Sequence, residues 1–256
     1  MNWDGVLKLV FIFLLAFVPS LVWLAFYLRK DPRPEPRRFL LLTFFLGAFI
    51  TIIGSQAENV WFKSWAHNSA NPQLGMLVLL FFFPFLEELF KFIAARLSTI
   101  KNKYFLDEAC DPMIYMITAA LGFAAAENLK VYFATIFGQV TSLTLHNILN
   151  INLSQDILLG LAFTAIIRFI ATVLLHSLSS GILGYFWSLA RLSQNKFKVW
   201  LLAIPTGLLF ATILHSLFNY LIMNINTGTF YLPSLVIFLI ISGVIVSRAL
   251  RQLENC

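Results

Sequence analysis

The chain has 256 residues, 59% of them hydrophobic and only 12% charged, with 27 phenylalanines and a formal net charge of +6. A soluble domain carries roughly a quarter charged residues, so water is not the main solvent here; an all-α membrane helix bundle, one domain over residues 1–256, is expected. The excess Lys and Arg falls in short stretches between apolar runs, which accounts for the basic balance without nucleic acid.

Apolar runs of about 20 residues lie near 6–28, 39–57, 75–97, 113–137, 168–190, 199–223 and 230–247. They predict about seven transmembrane helices. A lead-in, Ile157 to Ile167, adds either an interfacial eighth helix or an extension of the fifth span. The first run follows "MNWDG", which lacks a signal peptide's basic region, and reads as an uncleaved anchor. Its exit, "RKDPRPEPRR", carries Arg29, Lys30, Arg33, Arg37 and Arg38. Arg96, Lys101 and Lys103 follow the third run, Arg191, Lys196 and Lys198 the fifth, and Arg248 and Arg251 the last. The alternate stretches are nearly bare: 58–74 holds Lys63, and 138–156 and 224–229 hold no Lys or Arg. This alternation predicts an external N-terminus, a cytoplasmic C-terminus and a multi-pass protein of the cell membrane, surrounded by bilayer lipid. His67 and His146 fall in outer loops. Cys110 in a polar loop and Cys256 at the C-terminus suggest neither a disulfide framework nor a thiolate metal site.

The third run, "LLFFFPFLEELFKFIAARL", is apolar all round except for Glu87, Glu88 and Lys91. A charge at mid-bilayer costs roughly 2.5–3.5 kcal/mol on insertion scales, so charges here need a reason. Glu127, Asn128, Lys130, Arg168, His176, His215 and Asn219 complete the polar set within the runs. At about 1.5 Å per residue, Glu87, Glu127, His176 and His215 share a slab roughly 8 Å thick near the midplane. Lys91 is placed to pair with Glu87 or Glu88, and Lys130 with Glu127. Arg168 is expected to cap or snorkel at the outer end of its span. Pro84 removes a helix hydrogen bond and should kink the segment, opening room for water beside the acids. Ser177 with Gly181, and Ser180 with Gly184, have the spacing of close helix contacts.

A carboxylate beside a second carboxylate and two imidazoles suits general-base activation of water, followed by proton return to a leaving group. A neutral histidine orients the water, and His215 with Asn219 supplies hydrogen bonds to an oxyanion. No serine or cysteine nucleophile stands beside a base in the spans, so direct hydrolysis of an amide is the expected chemistry. Two alternatives stand beside it. Glu and His residues from several helices also suit a divalent metal, although the HExxH spacing is missing. Midplane acids and histidines also serve proton-coupled transporters and channels.

Four motifs in order, "EELFK" (Glu87, Glu88, Lys91), "FAAAEN" (Glu127, Asn128), "LLHSLSSGILGY" (His176) and "ILHSLFNY" (His215, Asn219), resemble the PrsW family of intramembrane proteases. The exit "DPRPEP" is similar to that family's Asp-Pro-Glu-Pro, and the likeness covers most of the chain. Related CAAX-processing endopeptidases usually carry histidine where Glu127 stands. The resemblance implies cleavage of a membrane-bound protein substrate, such as site-1 cleavage of an anti-sigma factor. On this reading Glu87, Glu88, His176 and His215 are catalytic, and Lys91, Glu127, Asn128 and Asn219 support them. No cofactor is expected; in the metal alternative Glu87, Glu127, His176 and His215 hold zinc.

Overall fold

The computed structural model describes residues 3–31, 33–66, 72–100, 106–137 and 155–254. His67, His146, Lys101, Lys103, Cys256 and most of the 138–156 stretch lie outside them. Among the described residues all regular structure is helical: α1 (Trp3–Leu28), α2 (Arg37–Ala66), α3 (Pro72–Leu77), a π-helical segment (Val78–Phe82), α4 (Phe83–Thr99), α5 (Asp111–Phe137), α6 (Gln155–Ile170), α7 (Thr172–Leu192), α8 (Lys196–Met223) and α9 (Tyr231–Glu254).

Five of these stretches, 5–28, 37–56, 157–192, 197–223 and 231–253, are long and apolar enough to cross a membrane. Their outward faces carry Leu, Ile and Phe side chains such as Phe45, Leu159, Phe163, Leu202 and Ile240, each more than half exposed. That surface suits hydrocarbon, where nothing is gained by hiding apolar groups. The 157–167 lead-in is a full helix, α6, and it joins α7 through a break at Ala171, where φ is −106° and ψ −69°. The run at 75–97 is broken differently. The N–H of Phe83 bonds the carbonyl of Val78, five residues back, so the disturbance expected at Pro84 takes the form of a wide turn just before it.

The buried centre is α5. From Pro112 to Ala125 every side chain is buried, and small residues let α2 and α7 approach its backbone. A Cβ on Gly47 would lie 2.0 Å from the Ala119 carbonyl oxygen, and one on Gly122 would lie 1.9 Å from that of Phe44. Thr51 Oγ1 then donates across this contact to Phe123 O at 3.3 Å. On the other side, a Cβ on Gly184 would lie 2.6 Å from Met113 Cα. Close backbone approach of this kind is how helices associate where the hydrophobic effect gives no drive.

The ends of the bundle also sort. Tyr115 donates to Glu35 Oε2 at 2.7 Å, Arg33 pairs with Glu108 at 3.0 Å, and Arg191 donates to the Leu106 carbonyl. The segment after α1, the segment before α5 and the last turn of α7 therefore meet at one end. Cys110 lies in the polar loop just ahead of α5, as expected, and is buried there (1% exposed). Its thiol donates to Glu108 Oε2 at 3.6 Å, because this corner folds inward to cap the helix.

Candidate active site

The π segment and Pro84 set the phase of α4 so that its polar turn points into the bundle. Glu88 and Lys91 are wholly buried, whereas the Glu87 side chain keeps 15% of its surface. Burying an ammonium demands that its donors be satisfied. Lys91 donates to Glu88 Oε1 at 2.7 Å and to His176 Nδ1 at 2.8 Å, sits 4.7 Å from the Phe123 ring centroid, and lies 3.9 Å from Glu87 Oε2.

Glu88 is saturated with donors. Its Oε1 accepts from Lys91, from Ser179 at 2.9 Å and from His215 Nδ1 at 2.9 Å; its Oε2 accepts from Ser180 at 2.7 Å. A carboxylate held by four donors is fixed in place. With Nδ1–H committed to Glu88, the Nε2 of His215 carries its lone pair outward, 3.8 Å from Glu87 Oε2.

His176 has the complementary tautomer. Its Nδ1 accepts from Lys91, so its Nε2–H donates to Glu127 Oε2 at 2.9 Å. Glu127 Oε2 also accepts from Arg168 at 3.0 Å, and Arg168 Nε donates to Asn128 Oδ1 at 2.5 Å. Asn128 Nδ2 in turn donates to the Ala16 carbonyl of α1 at 3.4 Å. One chain of polar contacts thus runs from α6 through α5, α7 and α4 to α8. The two imidazoles meet edge to face, with ring centroids 5.2 Å apart.

Of the eight residues singled out in the sequence, Glu87, Glu88, Lys91, Glu127, Asn128, His176 and His215 belong to this one network. Asn219 is half-buried one turn beyond His215, with no hydrogen bond to the cluster among the described residues. One expected pairing and one expected placement are corrected. Lys130 is exposed, and Glu127 pairs with Arg168 and His176 instead. Arg168 is therefore not an outer cap; its side chain is 14% exposed and turned into the bundle, where the half-buried Glu127 carboxylate needs a cation.

Ser179, Ser180 and Arg168 are the site residues that sequence reasoning missed. Ser180 had the spacing of a packing serine, yet both serines follow His176 within four residues, on adjoining faces of α7. Arg168, a cation within an apolar run, was the signal for the other.

A divalent metal can be tested against these donors. One ligand atom from each of Glu87, His176 and His215 lies within 4.8 Å of the others, and two imidazoles with one carboxylate form a known catalytic zinc set. Each imidazole also gives its other ring nitrogen to a carboxylate, His215 to Glu88 and His176 to Glu127, the usual support for a metal-bound histidine. The set fits, provided Lys91 releases His176 Nδ1. Glu127 lies outside this trio, behind His176, so the four ligands named for the metal alternative reduce to three.

Comparison with known proteins agrees with the motifs. The profile of the PrsW family intramembrane metalloprotease matches residues 35–245. Protease PrsW of Bacillus subtilis (strain 168) is 24% identical over 231 residues, covering 90% of each chain. Protease PrsW of Clostridioides difficile (strain 630) is 28% identical over 217 residues, covering 83% of this chain and 79% of its own. That of Oceanobacillus iheyensis is 25% identical over 233 residues, covering 90% and 92%. No solved structure matches.

Proposed function

Because this chain belongs to the PrsW family of intramembrane proteases, we propose that it cleaves a membrane-bound protein with a water molecule held between Glu87 and His215. The observation that carries the reading is the 3.8 Å separation of Glu87 Oε2 and His215 Nε2, two acceptors spaced to share the protons of one water. Glu88 is unsuited to the base role, since four donors already occupy its oxygens. It holds His215 in the tautomer that leaves Nε2 able to accept.

In the reaction Glu87 takes a proton from the water as its oxygen bonds to the scissile carbonyl carbon. Lys91, the cation nearest Glu87, and the Asn219 carboxamide stabilise the oxyanion. The Glu87 carboxyl then gives its proton to the amide nitrogen as the C–N bond breaks, leaving a carboxylic acid and an amine, which exchange a proton to become carboxylate and ammonium. A metal on Glu87, His176 and His215 would supply Lewis-acid polarisation of the carbonyl when bound. The substrate is a protein anchored in the same bilayer, with an anti-sigma factor cut at its first site as the specific expectation. Seven spans, an external N-terminus and the cell membrane complete the reading.

The test is cleavage of a membrane-anchored anti-sigma factor in proteoliposomes. Glu87→Gln is expected to lose at least about 100-fold in rate while melting like the parent. Glu88→Gln is expected to lose activity and also to melt lower, because a buried ion pair has been broken. Full activity in both variants refutes the proposal. Metal content of the purified protein, with His215→Ala as the comparison, distinguishes the metal-assisted form from water activation by glutamate alone.

A further inference from the structure

A second feature lies beside α7, between α1 and α9. A groove of about 390 Å³ opens between α1 and α9, floored by Leu174 and Leu178 of α7. Trp23 and Phe26 form one wall, and Gly243 belongs to the other. A Cβ placed on Gly243 meets nothing within 4 Å, so the groove has depth at that point. The charges are confined to one end: Arg248 and Arg251, three residues apart on one face of α9, line it there. The Lys30 ammonium lies at the same end, 4.3 Å from the Phe26 ring centroid.

We propose that this groove binds one anionic phospholipid, with an acyl chain along Leu174, Leu178 and Gly243 and the phosphate on Arg248 and Arg251. Charge complementarity selects the headgroup: guanidinium groups pair with phosphate oxygens through several donors at once, and basic clusters at membrane level favour anionic lipid. Size selects the chain. A spanning helix about 10 Å across and about 30 Å long displaces on the order of 2,000 Å³, several times the groove, whereas a single acyl chain is slender enough to lie in it. The site also touches the candidate active centre indirectly. Tyr27, on the groove wall, hydrogen-bonds Ser177 at 3.2 Å, the residue after His176. Lipid binding itself does not rest on the proteolytic reading.

The experiment is native mass spectrometry of the full chain released from detergent, titrated with phosphatidylglycerol and with phosphatidylcholine of the same chains. The parent is expected to retain one phosphatidylglycerol with about tenfold preference over phosphatidylcholine. Arg248→Gln with Arg251→Gln should abolish the preference. Gly243→Leu, which fills the groove and leaves the arginines, should reduce retention of both lipids. Gly243→Ala has open space and serves as the variant that keeps the fold if the leucine does not. It should retain both lipids less well than the parent, by a smaller margin. Parent-like preference in the double arginine variant, or parent-like retention in both Gly243 variants, overturns the proposal. So does glycerol phosphate competing as well as the intact lipid, or displacement of the lipid by a polyleucine transmembrane peptide, which would mean that the groove takes a helix.

Discussion

Arg168 shows what a single side chain does in this bundle. It bonds Glu127 and Asn128 together, and Glu127 fixes the His176 ring through Nε2. On the proposed mechanism Arg168 is a positioning residue, reaching Lys91 only through Glu127 and His176. Arg168→Gln is expected to lower kcat by about 10- to 100-fold, the range seen when a supporting partner is removed, with KM little changed. Arg168→Lys, which keeps the charge but not the fork of donors, should recover part of the loss. The His176 Nε2–H resonance in ¹⁵N-histidine spectra should shift in both variants, and a purely structural role would leave the ring's tautomer alone. Lys130→Gln serves as the exposed control and should be neutral. At this scale the sequence was informative about acids and histidines, because charge in an apolar run is costly and therefore conspicuous. It was uninformative about Ser179 and Ser180: a serine in a membrane helix serves packing and hydrogen bonding alike, and spacing does not separate the two. Partner choice was also hidden: Lys130, three residues from Glu127, was the expected partner, and Arg168 read as a cap at the end of its span until the helix faces were fixed.

Helices in this protein are held by backbone contact as much as by side chains. Gly47 and Gly122 each meet a carbonyl oxygen of the neighbouring helix at a distance no Cβ tolerates. Gly47→Ala and Gly122→Ala should each lower the melting temperature in detergent, since α2 and α5 must separate at a cost of about 1–3 kcal/mol or more. Gly160→Ala, with nothing within 4 Å of its Cβ, should be neutral or slightly stabilising. Parent-like melting for the first two would contradict the close α2–α5 contact. Hydropathy made most helices readable in advance and Pro84 marked a disturbance, whereas the form that breaks take within apolar runs was not legible. The wide turn at Val78–Phe82 and the joint at Ala171 depend on how neighbours repair missing hydrogen bonds, and residue type alone does not encode that.

The whole molecule places two acidic groups at different levels. One is the candidate active site; the other lies at the end where Asp31, Glu35, Glu108 and Asp111 gather beneath Tyr115. Burial pushes the Glu35 carboxyl up to about 8, with Asp111, Asp31 and Asp107 adding to the rise against the hydrogen bond from Tyr115. Burial likewise pushes Asp111 up to about 7, against the hydrogen bond from the Glu108 backbone, with Asp107, Asp31 and Glu108 adding to the rise. A folded state that holds these protons more tightly than the unfolded chain is favoured at low pH. That contribution is complete below the ordinary carboxyl range and is lost as the pH climbs to about 8. The melting temperature should therefore fall between about pH 5 and about pH 8 and then level off, and Glu35→Gln should flatten the slope. An unchanged slope in that variant would assign the effect elsewhere. The five-residue turn before Pro84 bears on chain length as well. Losing a residue inside an ordinary helix rotates everything beyond it by about 100° and would swing Glu87 away from His215. A π turn already contains one residue more than an α turn, so a homologue one residue shorter between 78 and 82 can close the turn and still present its glutamates to the same partners.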